Sequence, residues 1–296
     1  MKKTILITGS AGFIGRNLSE SLAPEYDLLL PTSHELNLLN SEQVKQFLTS
    51  HKFATVIHCA THDASRNSKK DQREILSNNL RMFFNLARCN TSYGRMFYFG
   101  SGAEYDKAHY VPRMAESYFD TFVPEDDYGF SKYIMAKHIE STLNIYDLRI
   151  FGCFGKYEDW EIRFISNAIC KTMLDLDITL RQNMYFDYLY IDDLVAIVRR
   201  LVEQKILQYK HYNVCSGNPV ALLSLAKKIL KRSGENLAIK IGAPGLKPEY
   251  TGDNTRLLSE IGGFQFTQID KSIDQLYDWY EGHRSRIDKK LLLTDK

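Results

Sequence analysis

Tyr128 and Lys132 stand four residues apart, just after the acidic stretch Pro124-Glu125-Asp126-Asp127, which reads as a helix start. On a helix that separation puts both side chains on one face, a turn apart. A phenol beside an ammonium suggests proton transfer. A free tyrosine titrates near 10, so exchanging a proton near neutrality calls for about 3 to 4 kcal/mol of help to the phenolate. An ammonium about 5 Å away supplies on the order of 3 kcal/mol at an effective dielectric of ~20. The string alone is weak, because among 18 tyrosines roughly one such spacing arises by chance. A second pair, Tyr133 with Lys137, lies five residues on, about 140° further round the helix, so both pairs cannot face one pocket. Spacing does not choose between them. A third hydroxyl, Ser101, closes the run Arg95-Met96-Phe97-Tyr98-Phe99-Gly100, which reads as a strand. Ser101 therefore lies at a strand's carboxyl end, where open α/β sheets place their sites, although Ser101-Gly102 also reads as an ordinary turn.

The elements that must position these groups begin at the first residues. Thr4-Ile5-Leu6-Ile7-Thr8 reads as a buried strand that breaks at Gly9-Ser10-Ala11-Gly12-Phe13-Ile14-Gly15. A helix follows, with apolar Ile14, Leu18 and Leu22 at intervals of four. Glycines at 9, 12 and 15 allow a sharp turn, close approach of a bound group and tight helix–strand packing. The helix amino terminus then offers N–H groups and positive dipole to an anion, for which a dinucleotide pyrophosphate is the usual guest. Gly9, Ala11, Gly12, Phe13, Ile14 and Gly15 are thus the candidate cofactor contacts. Tyr26 to Leu30 reads as a second strand, stopped by Pro31. Where an acidic residue would take the ribose hydroxyls of NAD, the chain has Thr32-Ser33-His34, so Ser33 and its neighbours favour NADP(H) over NAD(H), with Glu35 as the contrary signal.

Composition narrows the classes. A chain of 296 residues, 44% hydrophobic and 25% charged, can bury a nucleotide-binding domain and a smaller second lobe. A net charge of +2 gives no pull toward nucleic acid or a membrane. Five scattered cysteines without a C-x-x-C pair speak against metal or disulfide frameworks and fit a reducing compartment. Met1-Lys2-Lys3 and the apolar residues after it stop at Gly9, too short for a membrane segment, so a cytoplasmic protein is expected.

The G-x-x-G-x-x-G turn resembles the extended branch of the short-chain dehydrogenase/reductase superfamily, the NAD-dependent epimerase/dehydratase family of nucleotide-sugar enzymes. Glu35-Leu36-Asn37-Leu38-Leu39-Asn40 resembles the E-L-N-L-L-D stretch of its GDP-L-fucose synthase-like reductases, which implies that Asn37 and Leu38 lie against the adenine. Read from the residues alone, the same stretch is a loop whose Asn40 or Ser41 caps a helix from Glu42 to Ser50. Val56-Ile57-His58-Cys59-Ala60 resembles V-I-H-x-A, which places Ala60 beside the cofactor, with His58 read as a core residue. Asn79 with Asn85-Leu86 resembles N-x-x-x-x-x-N-L, whose first Asn steadies the strand on the nicotinamide side. The family carries its catalytic Ser four residues before a Tyr, matched by Ser101 and Tyr105, and its Y-x-x-x-K in a P-x-x-x-Y-G-x-S-K loop, matched by Tyr128 and Lys132. The resemblance therefore selects Tyr128 over Tyr133.

Later segments resemble the family as well: Leu148-Arg149-Ile150-Phe151-Gly152, Tyr185 to Leu194, Tyr212-Asn213-Val214 and Gly252-Asp253. Two departures stand out, Gly152 where the family commonly has a sugar-contacting Asn, and Phe186 where it has an Arg. The implied fold is α/β, a Rossmann-type doubly wound parallel sheet in residues 1–155, with a smaller substrate lobe in 156–296 from which residues 185–215 return to the first domain. His283 to Lys296 reads as a solvated helix or tail. Arg163, Arg181, Lys240 and Arg256 are candidates for a nucleotide diphosphate, with nothing to choose among them.

Ala103 stands where fucose synthases carry a proton-moving Cys, and Glu104 alone does not make the Asp-Glu pair of a dehydratase. Simple NADPH-dependent reduction of a 4-keto nucleotide sugar, for surface polysaccharide, is the expected activity. In it Tyr128 protonates the ketone oxygen, Ser101 holds that oxygen and Lys132 also grips the nicotinamide ribose. A 4-epimerase with tightly bound NAD and a non-enzymatic dinucleotide sensor are the alternatives. Relatives also imply a homodimer paired through the helix bearing Tyr128.

Overall fold

The computed structural model describes residues 2–62 and 64–293, so the last three residues of the charged tail lie outside it. Apolar runs too short for helices become the strands of one parallel sheet. These are β1 (Thr4–Thr8), β2 (Asp27–Leu29), β3 (Phe53–His58), β4 (Tyr93–Ser101), β5 (Ile145–Ile150) and the strand His211–Val214. In space the order is His211–Val214, β5, β4, β3, β1, β2. Every neighbouring pair is parallel. This is a Rossmann-like doubly wound sheet, buried on both faces. Along β1, Ile5 and Ile7 enter one core and Leu6 the other, the alternation expected of a pleated strand.

Helices α1 (Phe13–Leu22), α2 (Ser41–Thr49), α3 (Ile75–Ala87) and α4 (Asp127–Glu140) flank the sheet. Leu18 and Leu22 of α1 pack on one face, while Val44 and Leu48 of α2, Phe83 and Leu86 of α3, and Met135 and Ile139 of α4 pack on the other. Asn40 caps α2, its side chain accepting the backbone N–H groups of Glu42 and Gln43.

The later chain is divided. The segments Gly152–Phe154 and Tyr188–Tyr190 pair with each other, as do Ile178–Asn183 and Ile239–Leu246, in small separate sheets, whereas His211–Val214 joins the main sheet beside β5. Strand order reverses at β1, with β2 on one side and β3 on the other, and the carboxyl ends of β1 and β3 flank that switch point. Gly9, Ala60 and Ser101 all stand at or just beyond such ends. Among the described residues no helix is long and apolar enough to cross a membrane, and no cluster of His, Cys, Asp and Glu could hold a metal.

Candidate active site

The cradle after β1 is made by backbone. Gly9 has φ +70°, and a Cβ there would stand 2.7 Å from the Ala60 N, so only glycine lets β1 and β3 close up at this point. A side chain on Gly15 would collide with the carbonyl of Gly9, which binds α1 to the turn. Gly12 is the N-cap of α1, with no side-chain cap and no acidic residue in the first turn, so the positive end of the helix is left for an anion. On the far side, Asn79 is 3% exposed and its Oδ1 accepts from the N–H of His62 and the Thr61 hydroxyl, fixing the chain just after Ala60. Its Nδ2 is buried without an acceptor. A glycine cradle, an uncapped helix terminus and an orphaned donor fit a dinucleotide.

The adenine side is mixed. Asn85 donates to the carbonyl of Leu38 at 2.8 Å, tying that loop to α3. Leu38 is itself 7% exposed and packed in the core, so its side chain is not open to a ligand, whereas Asn37 is exposed and its Oδ1 accepts the Leu39 N–H. Ser33 is exposed. The carboxylate of Glu35 is turned onto Thr32, accepting both its N–H and its hydroxyl, which hold it below the usual carboxylate range.

Tyr128 and Lys132 occupy the first turns of α4, whose N-cap Asp126 accepts the N–H of Gly129. Lys132 is 4% exposed. Its Nζ donates to the carbonyl of Phe99 at 2.7 Å and stands 5.7 Å from the centre of the Tyr128 ring and 4.6 Å from that of Tyr98. The ammonium is thereby fixed to β4, two residues before Ser101. His58 is buried, its Nδ1 bonded to the Thr8 hydroxyl, and burial pushes its imidazole down to about 3, so it is a neutral core group. The rival pair points elsewhere: Tyr133 and Lys137 are both bonded to Asp120 at the surface.

Ser101 opens a tight turn, its Oγ accepting from the N–H of Ala103 and its own N–H donated to Glu104. Sequence reasoning missed a neighbour of this turn, Tyr250, whose hydroxyl lies against Gly102, the residue after Ser101. A Cβ on Gly102 would come 2.5 Å from that hydroxyl, so glycine at 102 is what admits the ring. Tyr250 packs against Tyr110, Phe151 and Phe186, with ring centres 4.9 to 5.0 Å away, and Phe186 stacks on Tyr188 at 4.5 Å. The two departures noted in the sequence touch here: any side chain on Gly152 would collide with the Phe186 ring. Gly152 and Phe186 therefore belong to one feature, the absence of a side chain at 152 making room for the aromatic wall. The signal available beforehand was that both positions depart from the pattern.

Of the four candidate cations, Lys240 pairs with Asp177 at 2.8 Å and Arg256 donates to the His211 carbonyl at 3.3 Å. Arg66, an exposed residue, has its guanidinium lowered by partial desolvation and then by the like charges of Arg181 and Arg163.

A family model described as the NAD dependent epimerase/dehydratase family matches residues 5–215. The chain belongs to that family. Among its curated members, dTDP-4-dehydro-6-deoxyglucose reductase of Escherichia coli is 27% identical over 93% of this chain and 96% of its own. GDP-mannoheptose C4 reductase from Campylobacter jejuni, solved with NADP bound, superposes with a TM-score of 0.82 at 19% identity, covering 95% of this chain and 98% of that one. The family's UDP-glucose 4-epimerase from Thermotoga maritima superposes with a TM-score of 0.80 at 17% identity, covering 95% and 99%.

Proposed function

We propose that the chain reduces the 4-keto group of a nucleotide-diphosphate sugar, with NADPH preferred and NADH accepted. The observation that carries this reading is the buried Lys132 ammonium, pinned to the Phe99 carbonyl two residues before Ser101 and 5.7 Å from the centre of the Tyr128 ring. When bound, the reduced nicotinamide supplies hydride to the carbonyl carbon. Tyr128 gives its proton to the carbonyl oxygen, and Ser101 holds that oxygen by a hydrogen bond. Lys132, pinned by Phe99, keeps a positive charge beside the phenol and has further N–H donors for the nicotinamide ribose. Gly9 to Gly15 would seat the pyrophosphate, and Asn79 Nδ2 would find its acceptor on the cofactor. The NADP preference rests on the strand end at Ser33, where the one nearby carboxylate, Glu35, is engaged by Thr32.

Arg66, Arg163 and Arg181 are assigned to the substrate diphosphate, because the repulsion that Arg181 and Arg163 exert on Arg66 is relieved by a polyanion. The wall of Phe186, Tyr188 and Tyr250 suits a sugar that presents an apolar edge, as a deoxyhexose or methylated heptose does. In this reading the enzyme works in the cytoplasm as a homodimer paired through α4, supplying a surface polysaccharide.

The test is a panel of 4-keto sugars on GDP, dTDP, CDP and UDP, scored by loss of NADPH absorbance. Stoichiometric oxidation with one member is the expected outcome. Protein that arrives with tightly held NAD and consumes no NADPH on any member overturns the reading in favour of an epimerase.

A further inference from the structure

The turn that carries Ser101 rests on a group of charges that catalysis as described above does not use. Glu104, Asp147 and Arg149 are each 0% exposed. Arg149 Nε donates to Glu104 Oε2 at 2.7 Å and to Asp147 Oδ2 at 2.9 Å, and Nη1 donates to the Tyr105 hydroxyl at 3.0 Å. Glu104 Oε1 accepts the Ser101 N–H at 2.9 Å, closing a capping box in which the Ser101 Oγ accepts the Ala103 N–H.

Two features of this arrangement need a proton. One guanidinium faces two carboxyl groups in a region without water access, and a buried net negative charge is costly. Asp147 Oδ1 is buried, and among the described residues no N–H or O–H points at it. Yet Glu104 Oε1 and Asp147 Oδ1 both crowd the point above Gly100 where a Cβ would stand, so the two oxygens face each other across a glycine. A proton on Glu104 removes the excess charge and supplies the missing donor in one step. The pKa direction agrees: burial and then the neighbouring Asp147 push Glu104 well up.

We propose that Glu104 is a positioning residue, protonated at neutral pH, which donates to Asp147 and through that shared proton holds the Ser101 turn in its reactive shape. The proposal rests on Ser101 acting on the substrate oxygen, as argued above. The groups facing the pair are Arg149 on β5, Tyr98 on β4, Lys132 on α4, Tyr105 in the same turn and Tyr250 from the late loop. Lys132, although its ammonium bonds the Phe99 carbonyl, still acts on Asp147 and favours its ionised form, which leaves Glu104 as the carboxyl that carries the proton. Once the proton leaves, two carboxylates repel across Gly100 and the cap on Ser101 loosens.

The experiment compares wild type, Glu104→Gln, Glu104→Ala and Asp147→Asn. The infrared difference between wild type and Glu104→Gln in D2O at neutral pH should contain a protonated carboxylic-acid band, the separate band of buried Glu158, which burial pushes up to about 8, cancelling between the two; this arm needs no substrate, so it stands even if the proposed reaction fails. In keto-sugar reduction, Glu104→Gln, which keeps an acceptor for Ser101 and a donor for Asp147, should retain kcat within about threefold. Its alkaline limb should be shallower by one proton. Glu104→Ala should lose kcat on the order of 100-fold with KM little changed. If that variant does not fold, the infrared band and the Glu104→Gln profile decide. Absence of the band from that difference spectrum, or equal kcat losses in the Gln and Ala variants, would overturn the proposal.

Discussion

Two tyrosine–lysine pairs of identical spacing lie on α4, and the structure treats them in opposite ways. Lys132 is buried, bonded to a strand carbonyl and set among the rings of Tyr98 and Tyr128. Lys137 is half-exposed, bridging Asp120 and Glu140, and its tyrosine bonds the same Asp120. The same residues at the same interval make the proposed proton-transfer centre in one case and a surface ion pair in the other. What separates them is the helix face: five residues of offset turn the second pair away from the sheet, and in water a salt bridge contributes little.

The contrast is most directly broken at Tyr128. Tyr128→Phe should cost roughly 100- to 10,000-fold in turnover with cofactor affinity retained, since only the transferable proton is lost. A fall of less than tenfold would place the acid elsewhere. Lys132→Met should cut turnover by on the order of 100-fold and also weaken cofactor binding, separable by measuring NADPH affinity through fluorescence. Tyr250→Phe sharpens the comparison, because it removes a hydroxyl beside the Ser101 turn while leaving the ring in the wall; a loss of about tenfold or less is expected, in line with one hydrogen bond. At the small end, Tyr133→Phe combined with Lys137→Ala should change turnover by less than about twofold and stability by about 0.5 kcal/mol or less. Asp120, held below its ordinary range first by the Tyr133 hydroxyl and then by Lys137, contributes stability that is present at neutral pH and lost as pH falls through its depressed value. Thermal melts of Asp120→Asn should match wild type in acid and fall slightly below it at neutral pH.

The cofactor half was legible because its determinants are local. Gly9, Gly12 and Gly15 act through backbone geometry within one turn, and Asn40 caps the helix that starts beside it. The substrate half is assembled from distant stretches, so its meaning lies in contacts rather than in strings. Gly152 and Phe186 read separately as two defects and together as one fit. Tyr250 reaches the Ser101 turn from nearly 150 residues downstream in the chain, and no spacing announces it. Glu104 looked like half of an incomplete dehydratase pair because its partner, Asp147, comes from a different strand.

The glycine at 152 and the ring at 186 also constrain how this protein could have diverged. An ancestor with the amide and the guanidinium would reach the present pocket only by changing both positions. The ring introduced first would meet an occupied space, and the glycine introduced first would leave a hole beside an unsupported cation. A lineage crossing between the two pockets passes through an intermediate inferior to either end. Substrate preference in this branch should therefore be inherited in blocks, and attempts to retune it one codon at a time should stall.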